Sequence, residues 1–298
     1  MENNIDAKVV CFGEVLWDIL PSGPVPGGAP MNVAYHLHKQ GLEPQLITSI
    51  GNDKEGDELR SLFESHGVST RLFQSNGHHE TGKVYAHPNE QNEVAYEIVQ
   101  PVAWDFIEWR PELKELVAQA RYFVFGSLAA RSEVSRNTLF SLLENAPYGV
   151  VDINLRPPHY NRRLVEQLLH KASFLKLNEA ELDLISAWSS KLINTEDKVR
   201  ALADVFDLST IVVTMGEKGA LLFMDGTVYR HGGFKVRVAD TVGSGDAFLA
   251  GLLSKLNAGT QPAPALEYAN ALGALIATKI GACPDYTAEE INAVIKSG

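Results

Sequence analysis

The sequence predicts an α/β protein, a three-layer αβα sandwich with a mainly parallel central sheet and a small second β-sheet. Two observations indicate this fold class. Short apolar runs recur along the chain and alternate with segments of helical periodicity, which is typical of parallel strands joined by helices on both faces of a sheet. At about 71–100 this rhythm gives way to short alternating runs joined by polar turns, which favours a small antiparallel sheet.

The elements follow in chain order from these patterns. A strand is predicted at 8–12, an amphipathic helix at about 30–39 and a second strand at 45–50. Further buried strands are predicted at 121–125, 150–153, 174–177 and 210–214. Two alternating segments between Ala220 and Val238 precede helices that extend to about 257 and over about 263–278.

Residues 1–298 are interpreted as one domain, because the sequence shows no internal repeat, low-complexity tract or linker rich in Pro, Gly or Ser. A chain of 298 residues is near the upper limit of what one core supports, and 45% hydrophobic residues are enough to build that core. The small sheet, formed by about 15–30 and 71–100, is then an insertion into the domain.

The net charge and the cysteine content argue against several classes of binding partner and cellular compartment. A net charge of -11 would be repelled by a nucleic-acid backbone or an anionic membrane surface, so we expect neither as a partner. Cys11 and Cys283 lack the paired spacing of a zinc site, a redox motif or a disulfide framework, which indicates a reducing compartment. With no secretory signal and no apolar run of ~18 residues, a cytoplasmic protein is expected.

The most informative motif is D-T-V-G-S-G-D at 240–246, between an alternating segment and the start of an apolar helix. Gly243 and Gly245 allow a sharp turn that directs backbone amides outward at a helix N-terminus, which favours an anion such as a phosphoryl group. Asp246 would stand beside that anion as a base for an attacking hydroxyl. The alternative is that Asp240 and Asp246 only cap the helix and the glycines shape a turn.

A second glycine cluster, G-G-A-P-M-N-V-A at 27–34, precedes the first long helix and would also bring backbone close to a ligand. Asn32 could hydrogen-bond a polyol there, and a tight turn with Pro30 at the helix start is the alternative. Asp18 follows the first strand and would lie at the carboxyl edge of the sheet, where open α/β folds bind ligands. A surface aspartate is the alternative for Asp18.

The two motifs, in this order and separation, resemble the signatures of the ribokinase-like (PfkB) family of carbohydrate kinases, and the resemblance extends over nearly the whole chain. It implies a ribokinase-like fold whose small sheet closes over a sugar as a lid. It also implies transfer of the γ-phosphoryl group of ATP to a sugar hydroxyl, with Mg²⁺ and with K⁺ as a further cation.

The resemblance assigns roles at the two motifs. Asp246 would be the catalytic base, beside a backbone anion hole formed by Gly243, Ser244 and Gly245. The sugar hydroxyls would be held by Asp18, Gly28 and Asn32. Val242 and Ser244 depart from the commonest family residues, but the contacts implied there are made by the main chain.

Further roles concern the nucleotide and the cations. The resemblance implies that ATP is bound by Asn178, Thr214, Gly216, Gly219 and Asn270. Glu181, in an N-x-x-E element with Asn178, would contact the water shell of Mg²⁺. The monovalent cation would be bound by Asp240 and by the carbonyls of Val242 and Gly281.

The sugar is expected to be fructose, phosphorylated at its 6-hydroxyl. Arg156 and the stretch at 96–105 resemble the fructokinase branch of the family, although Ile153 stands where proline is frequent and makes the placement of Arg156 less certain. A surface arginine paired with Asp152 is the alternative for Arg156. The alternative substrates are 2-keto-3-deoxygluconate, whose acid group should require a second cation near Arg156, and ribose.

A catalytically idle sugar-binding regulator is the rival from another class. Its expected mark is a lost base or a broken anion hole, and Asp246, Gly243 and Gly245 are all present. The lid sheets of this family often pair across a dimer, so a homodimer through the exposed face of 84–99 is also expected.

Overall fold

The computed structural model describes residues 9–20, 23–88, 94–189 and 191–298, and within them the chain forms a large and a small β-sheet with helices on both faces of the large one. The strands are β1 (Val9–Phe12), β2 (Leu16–Leu20), β3 (Gly23–Gly27), β4 (Gln45–Gly51), β5 (Phe73–Asn76), β6 (Gly82–Pro88), β7 (Val94–Ile98), β8 (Tyr122–Gly126), β9 (Gly149–Asp152), β10 (Phe174–Asn178), β11 (Thr210–Thr214), β12 (Ala220–Met224) and β13 (Thr227–His231). The helices are α1 (Ala29–Lys39), α2 (Lys54–Ser65), α3 (Pro111–Ala118), α4 (Glu133–Leu143), α5 (Arg162–Leu169), α6 (Glu179–Ser186), α7 (Thr195–Phe206), α8 (Ser244–Asn257), α9 (Pro262–Ala277) and α10 (Ala288–Ser297).

The large sheet has nine strands in the order β13-β12-β11-β10-β9-β8-β1-β4-β5. Its strands run parallel from β5 to β11, whereas β12 and β13 are antiparallel at one edge. The predicted fold class is therefore confirmed. The chain passes from β1 to β4 on one side and later returns to β8 on the other, so the strand order reverses beside β1. In open α/β sheets the crevice beyond the strand ends at such a reversal is where ligands bind.

Alternation along the strands divides the core into two layers. In β1, Val9 and Cys11 pack with α1, α2, α8 and α9, whereas Val10 and Phe12 pack with α3 to α7. These side chains are fully buried, because strands covered by helices on both sides expose neither face. The helix α10 packs on α9 outside this arrangement. No helix in the described part of the chain is long and apolar enough to cross a membrane.

The small sheet has four strands in the order β3-β2-β6-β7. It joins the segment after β1 to a later hairpin, and β2 pairs antiparallel with β3 and parallel with β6. One part of the expected insertion belongs elsewhere, because β5, at the start of the 71–100 segment, extends the large sheet beside β4. The alternating pattern that ends at Val238 also differs, since residues 232–239 form no strand.

Candidate active site

The candidate site lies where the carboxyl ends of β1, β9 and β10 face the N-terminus of α8. Short segments continue from these strand ends: Glu14 follows β1 and Arg156 follows β9. The small sheet starts at β2, immediately after the first of these segments. This is the edge of the sheet at which the strand order reverses, so the topology and the sequence motifs point to the same crevice.

The helix α8 begins at a glycine turn whose geometry excludes larger residues. Gly243 is the N-cap with a φ of 75°, a left-handed conformation that favours glycine. A Cβ on Gly243 would lie 2.5 Å from Cα of Ala282, so the turn packs directly on the C-terminal segment. Within the described residues nothing accepts hydrogen bonds from the amides of Gly245 and Asp246, which leaves donors available for an anion.

Asp246 stands in the first turn of α8 with a side chain that is buried but already oriented. Its Oδ2 accepts a hydrogen bond from Nδ2 of Asn32 at 2.8 Å, which joins the two sequence motifs across 214 positions of the chain. Burial raises the pKa of Asp246 to about 6, and the neighbouring Lys176 and Arg156 limit that rise. A carboxylate with this pKa is ionised at neutral pH and can accept a proton from a hydroxyl group.

The turn before α1 is built by glycines that make room for two acidic residues. Gly28 is the N-cap with a φ of 122°, and a Cβ there would collide with the carbonyl oxygen of Glu14. A Cβ on Gly27 would collide with the carboxylate of Asp18. Burial raises the pKa of Asp18 to about 6, whereas Arg156 acts to lower it. Asp18 therefore lies in the middle of β2, in the small sheet, and its carboxylate packs against Gly27, the residue before the N-cap Gly28.

Arg156 is exposed and is not the partner of Asp152 that the alternative interpretation required. Burial raises the pKa of Glu14, Asp18 and Asp246, and the charge of Arg156 acts against that rise in all three. In the described part of the chain Arg156 forms no ion pair of its own. Its guanidinium therefore remains available to a ligand at this edge of the sheet.

Sequence reasoning missed Lys176 and Glu14. Lys176 Nζ donates to Asp152 Oδ2 at 2.7 Å, and both side chains are buried. Glu14 is 3% exposed, its Oε2 has no hydrogen-bond partner among the residues that the structure describes, and burial raises its pKa to about 7. The available signal was a charged residue inside a buried strand, as in the F-L-K-L-N run of β10, or directly after one.

The N-x-x-E element is a capping box at the start of α6. Asn178 Oδ1 accepts from the Glu181 amide, and Glu181 Oε2 accepts from the Asn178 amide, each at 2.9 Å. The other carboxylate oxygen of Glu181 accepts from Leu155. Burial raises the pKa of Glu181. The element therefore has a structural function whether or not it also contacts a nucleotide.

The 214–219 loop leaves β11 at the same edge of the sheet. Thr214 is paired in register with Asn178, which brings these two predicted nucleotide residues together. Gly219 has a φ of 84°, and a Cβ there would collide with the backbone at His231, whereas a Cβ on Gly216 would meet open space. Asn270, on α9, is buried, and its Nδ2 donates to the Leu266 carbonyl of its own helix. Among the described residues, none of these five hydrogen-bonds to Asp246, whose side-chain partner is Asn32.

Asp240 connects the two segments predicted to bind a monovalent cation. Its Oδ1 accepts from the Val242 amide at 3.0 Å, and its Oδ2 accepts from the Gly281 amide at 3.1 Å. The carboxylate therefore fixes the start of the glycine turn to the C-terminal segment. The three residues named from the sequence therefore lie together. Asp240 does accept backbone hydrogen bonds, as the capping alternative required, but from the amides of two loop residues and not from those of α8.

The arrangement as a whole suits transfer of an anionic group to a hydroxyl. It combines a buried, ionisable acceptor for a proton, backbone amides at a helix N-terminus that have no acceptor among the described residues, and polar side chains from α1, β10 and the segment after β9. Asp246, Asn32, Lys176 and Arg156 supply these features within one crevice.

Comparison with known proteins gives consistent matches. The model of the pfkB family carbohydrate kinase matches residues 23–289. A fructokinase of Escherichia coli is 31% identical over 274 residues, which cover 85% of this chain and 85% of that protein.

Two solved structures share the fold. A fructokinase of Vibrio cholerae O395, in a form with fructose, ADP and calcium ion bound, has a TM-score of 0.85 and 24% identity, covering 98% of this chain and 100% of that chain. An aminoimidazole riboside kinase of Salmonella enterica, complexed with aminoimidazole riboside and an ATP analog, has a TM-score of 0.80 and 25% identity, covering 97% and 99%.

Proposed function

The chain belongs to the pfkB family of carbohydrate kinases, and we propose that it transfers the γ-phosphoryl group of ATP to the 6-hydroxyl of fructose. The observation that carries the transfer chemistry is the buried Asp246, which Asn32 holds beside the open amides of α8. The choice of fructose is supported by the fructokinase of Escherichia coli at 31% identity and by the available guanidinium of Arg156.

The charges on the sugar side support a neutral sugar over an acid sugar. Asp18 and Glu14 are both carboxylates, and Arg156 is the cation that faces them. Two other arginines are already paired: Arg131 binds Asp105 at 2.7 Å and Arg162 binds Glu166 at 2.7 Å. A 2-keto-3-deoxygluconate molecule would bring a further negative charge to a site with this balance.

The proposed mechanism uses the two glycine turns in different ways. The sugar oxygen attacks the γ-phosphorus while its proton passes to Asp246, and the bond between the γ-phosphorus and the β–γ bridging oxygen breaks to release ADP. The turn at 243–245 stabilises the charge on the transferring phosphoryl group through its backbone amides. Asp18, Gly28 and Asn32 hold the sugar so that one hydroxyl faces Asp246.

The proposed nucleotide and cation residues have donor chemistry that suits their ligands. Magnesium would arrive with ATP, and the carboxylate of Glu181, whose two oxygens accept from the amides of Leu155 and Asn178, would also accept hydrogen bonds from the waters that surround the ion. Asn178, Thr214, Gly216, Gly219 and Asn270 remain the proposed ATP residues. Potassium would bind between the Asp240 carboxylate and the carbonyls of Val242 and Gly281, all of which are oxygen donors of the type that such ions prefer.

The small sheet is proposed to act as the lid and as the contact of a homodimer. It carries Asp18 at the site, so its movement would couple sugar binding to exclusion of water. Tyr96 of β7 is 59% exposed and Tyr85 of β6 is 37% exposed, which supports contact through this sheet. Sedimentation of the native protein beside a Tyr96→Glu variant tests the dimer. The predicted cytoplasmic location also stays part of the proposal.

The test is ATP turnover by the purified protein with fructose, ribose, 2-keto-3-deoxygluconate and aminoimidazole riboside, with and without potassium. We expect kcat/KM to be highest for fructose. A higher value for another acceptor would overturn fructose but not the kinase chemistry, and aminoimidazole riboside belongs in the panel because of the Salmonella enterica kinase. ATP binding without turnover of any sugar would favour the regulator instead.

The matched variant for this test is Asp18→Ala. Loss of a charged hydrogen-bond acceptor should raise the sugar KM by roughly 10-fold to 100-fold, because such bonds are worth about 1.5–3 kcal/mol. The KM for ATP should remain within about threefold of the wild-type value. An unchanged sugar KM would remove Asp18 from the sugar site.

A further inference from the structure

A buried ion pair lies directly behind the proposed base. Lys176 of β10 and Asp152 of β9 are paired in register in the parallel sheet, and Lys176 Nζ lies 2.7 Å from Asp152 Oδ2. The two side chains are 10% and 4% exposed. The residues that precede them on these strands, Gly149 to Val151 and Phe174 to Leu175, are buried and uncharged, so this is a charged pair placed inside the hydrophobic core.

Stability does not account for this pair. Removing two charges from water carries a large desolvation penalty, and a buried ion pair is often no more stabilising than apolar residues of similar volume. Val150 and Phe174, at the equivalent positions one step earlier on the same face, are fully buried apolar side chains. Apolar residues at 152 and 176 would continue that layer.

The lysine is directed at the glycine turn of α8. Because side chains alternate along β10, Lys176 lies on the same face as Phe174, which packs in the core layer that contains α8. A Cβ on Gly245 would lie 3.1 Å from Lys176 Nζ and 3.7 Å from its Cε. The glycine therefore makes room for the ammonium group immediately behind the turn.

The pairing with Asp152 leaves the lysine charged. Burial acts to lower the pKa of Lys176, but Asp152 and Asp246 outweigh it, and the pKa is raised. Asp152 Oδ1 has no hydrogen-bond partner in the described part of the chain, so the carboxylate is committed to the ammonium through its other oxygen.

Several groups face the Asp246 carboxylate from the elements packed around it. Those that favour its ionised form are Lys176 from β10, Arg156 after β9 and the amide of Asn32 from α1. Asp152 from β9 opposes it. The charge of Asp246 in turn acts to raise the pKa of Glu14 after β1 and of Cys283 from the C-terminal segment. Lys176 is the only buried cation in this set.

We propose that Lys176 is a positioning residue for phosphoryl transfer, whose ammonium group, fixed by Asp152 behind Gly245, holds Asp246 ionised and adds positive charge behind the turn that receives the phosphoryl group. This inference rests on the proposed role of Asp246. The lysine acts through Asp246 and the turn and does not need to touch the sugar.

The test uses two substitutions that break the same ion pair with opposite electrostatic signs. Lys176→Met removes the positive charge, and Asp152→Asn removes the negative one. The carboxyl group of Asp246 is titrated by ¹³C NMR, with Asp246→Asn used to assign its signal. We expect the titration midpoint to rise by about 1–3 pH units in Lys176→Met and to fall in Asp152→Asn. A purely structural role would move both midpoints in the same direction.

Activity provides the second measurement. In Lys176→Met the acid limb of the kcat profile should move to higher pH by the same interval as the NMR midpoint, with the KM for sugar within about threefold of wild type. Lys176→Arg keeps the charge and should restore the acid limb to within about half a pH unit of wild type. Because Lys176→Met leaves Asp152 unpaired and can unfold, the double variant Lys176→Met/Asp152→Asn is measured alongside it.

Lys198→Met is the matched control. Lys198, on α7, is 14% exposed and pairs with Asp183 at 2.7 Å, so the substitution breaks an ion pair of the same length away from the site. Neither the NMR midpoint nor the pH profile should change in this variant. Equal midpoints in the wild type, Lys176→Met and the double variant would overturn the inference. Opposite midpoint shifts in a protein that phosphorylates no sugar would support the control of Asp246 ionisation by Lys176 and overturn its role in phosphoryl transfer together with the proposed function.

Discussion

Two helices of this protein begin at glycine turns of similar construction, yet the turns are filled differently. The helices α1 and α8 have Gly28 and Gly243 as their N-caps, both with positive φ and neither with a side-chain cap. At α1 the amide of Ala29 acts to lower the pKa of Glu14, which burial raises to about 7, so an ionisable carboxyl group of the protein itself lies at the helix start. At α8 the amides of Gly245 and Asp246 have no acceptor among the described residues.

The difference shows that a glycine turn before a helix does not by itself identify a phosphate site. The deciding feature is what the neighbouring strands supply. The segment after β1 supplies the carboxyl group of Glu14 to the first turn, whereas β10 supplies the ammonium group of Lys176 to the second. An anionic ligand is therefore favoured at α8 and disfavoured at α1, which leaves the α1 turn for the neutral sugar.

The largest expected effect comes from Asp246→Asn. Asparagine keeps an oxygen to accept from Asn32 but cannot take the proton from the sugar hydroxyl, so kcat should fall by about 10²–10⁴. Binding of ATP and sugar, measured by calorimetry, should stay within about threefold of wild type. Full turnover by this variant would remove the proposed base and with it the contrast between the turns.

The second effect compares alanine at the two N-caps. In Gly243→Ala the new methyl group meets Ala282 and displaces the amides of α8, so kcat should fall by about 10²–10³ while the sugar KM changes little. In Gly28→Ala the methyl group meets the Glu14 carbonyl, so the sugar KM should rise more than kcat falls. Steady-state kinetics of both variants measure these changes, and melting temperatures serve as the folding control. If kcat and the sugar KM changed in the same way in both variants, the two turns would not have the different functions proposed here.

The third effect is the pH dependence of turnover. Burial raises the pKa of Asp246 to about 6, and the base works only when ionised, so kcat should be full above this pH and lost as the pH falls through it. The loss should be about tenfold per pH unit below the midpoint. Saturating kinetics between pH 4.5 and 8, checked by circular dichroism at each pH, measure this. If the midpoint of the kcat profile were near pH 4, Asp246 would be less buried in solution than it is in the structure.

The smallest effect is expected for Glu14→Gln. Glutamine keeps an acceptor for the Ala29 amide, so the sugar kcat/KM should fall only about twofold to tenfold at pH 8. Burial raises the pKa of Glu14 to about 7, so the wild-type side chain is largely protonated at pH 6 and the two proteins should become alike there. A variant that differs from wild type equally at pH 6 and pH 8 would show that the charge of Glu14 is not the relevant property.

Much of the architecture was predictable because it depends on local patterns. The apolar runs at 121–125, 150–153, 174–177 and 210–214 correspond to β8, β9, β10 and β11. The 71–100 segment was harder, since β5 has the same short alternating pattern as the small-sheet strands but pairs with β4. Which sheet a short strand joins depends on contacts distant in sequence, and local alternation carries no information about them.

The candidate site was predictable only in part for the same reason. The sequence pointed to Asp246 and Asn32 separately, and the structure places them 2.8 Å apart. It gave no basis for pairing Lys176 with Asp152, because that pair exists only through the parallel register of β9 and β10. The sequence also gave no sign that Glu14 is buried, because a glutamate after a strand is ordinarily exposed. Here Glu14 packs against the start of α1.

By itself the sequence determined the αβα layers, the family and the identity of the two glycine turns, because hydrophobic periodicity and turn chemistry are properties of neighbouring residues. The tertiary structure alone decided which turn is filled by a carboxylate and which is backed by an ammonium group. Those charges come from strands far away in the chain, and only the packing of the sheet against α1 and α8 brings them into a buried crevice, where their fields are weakly screened.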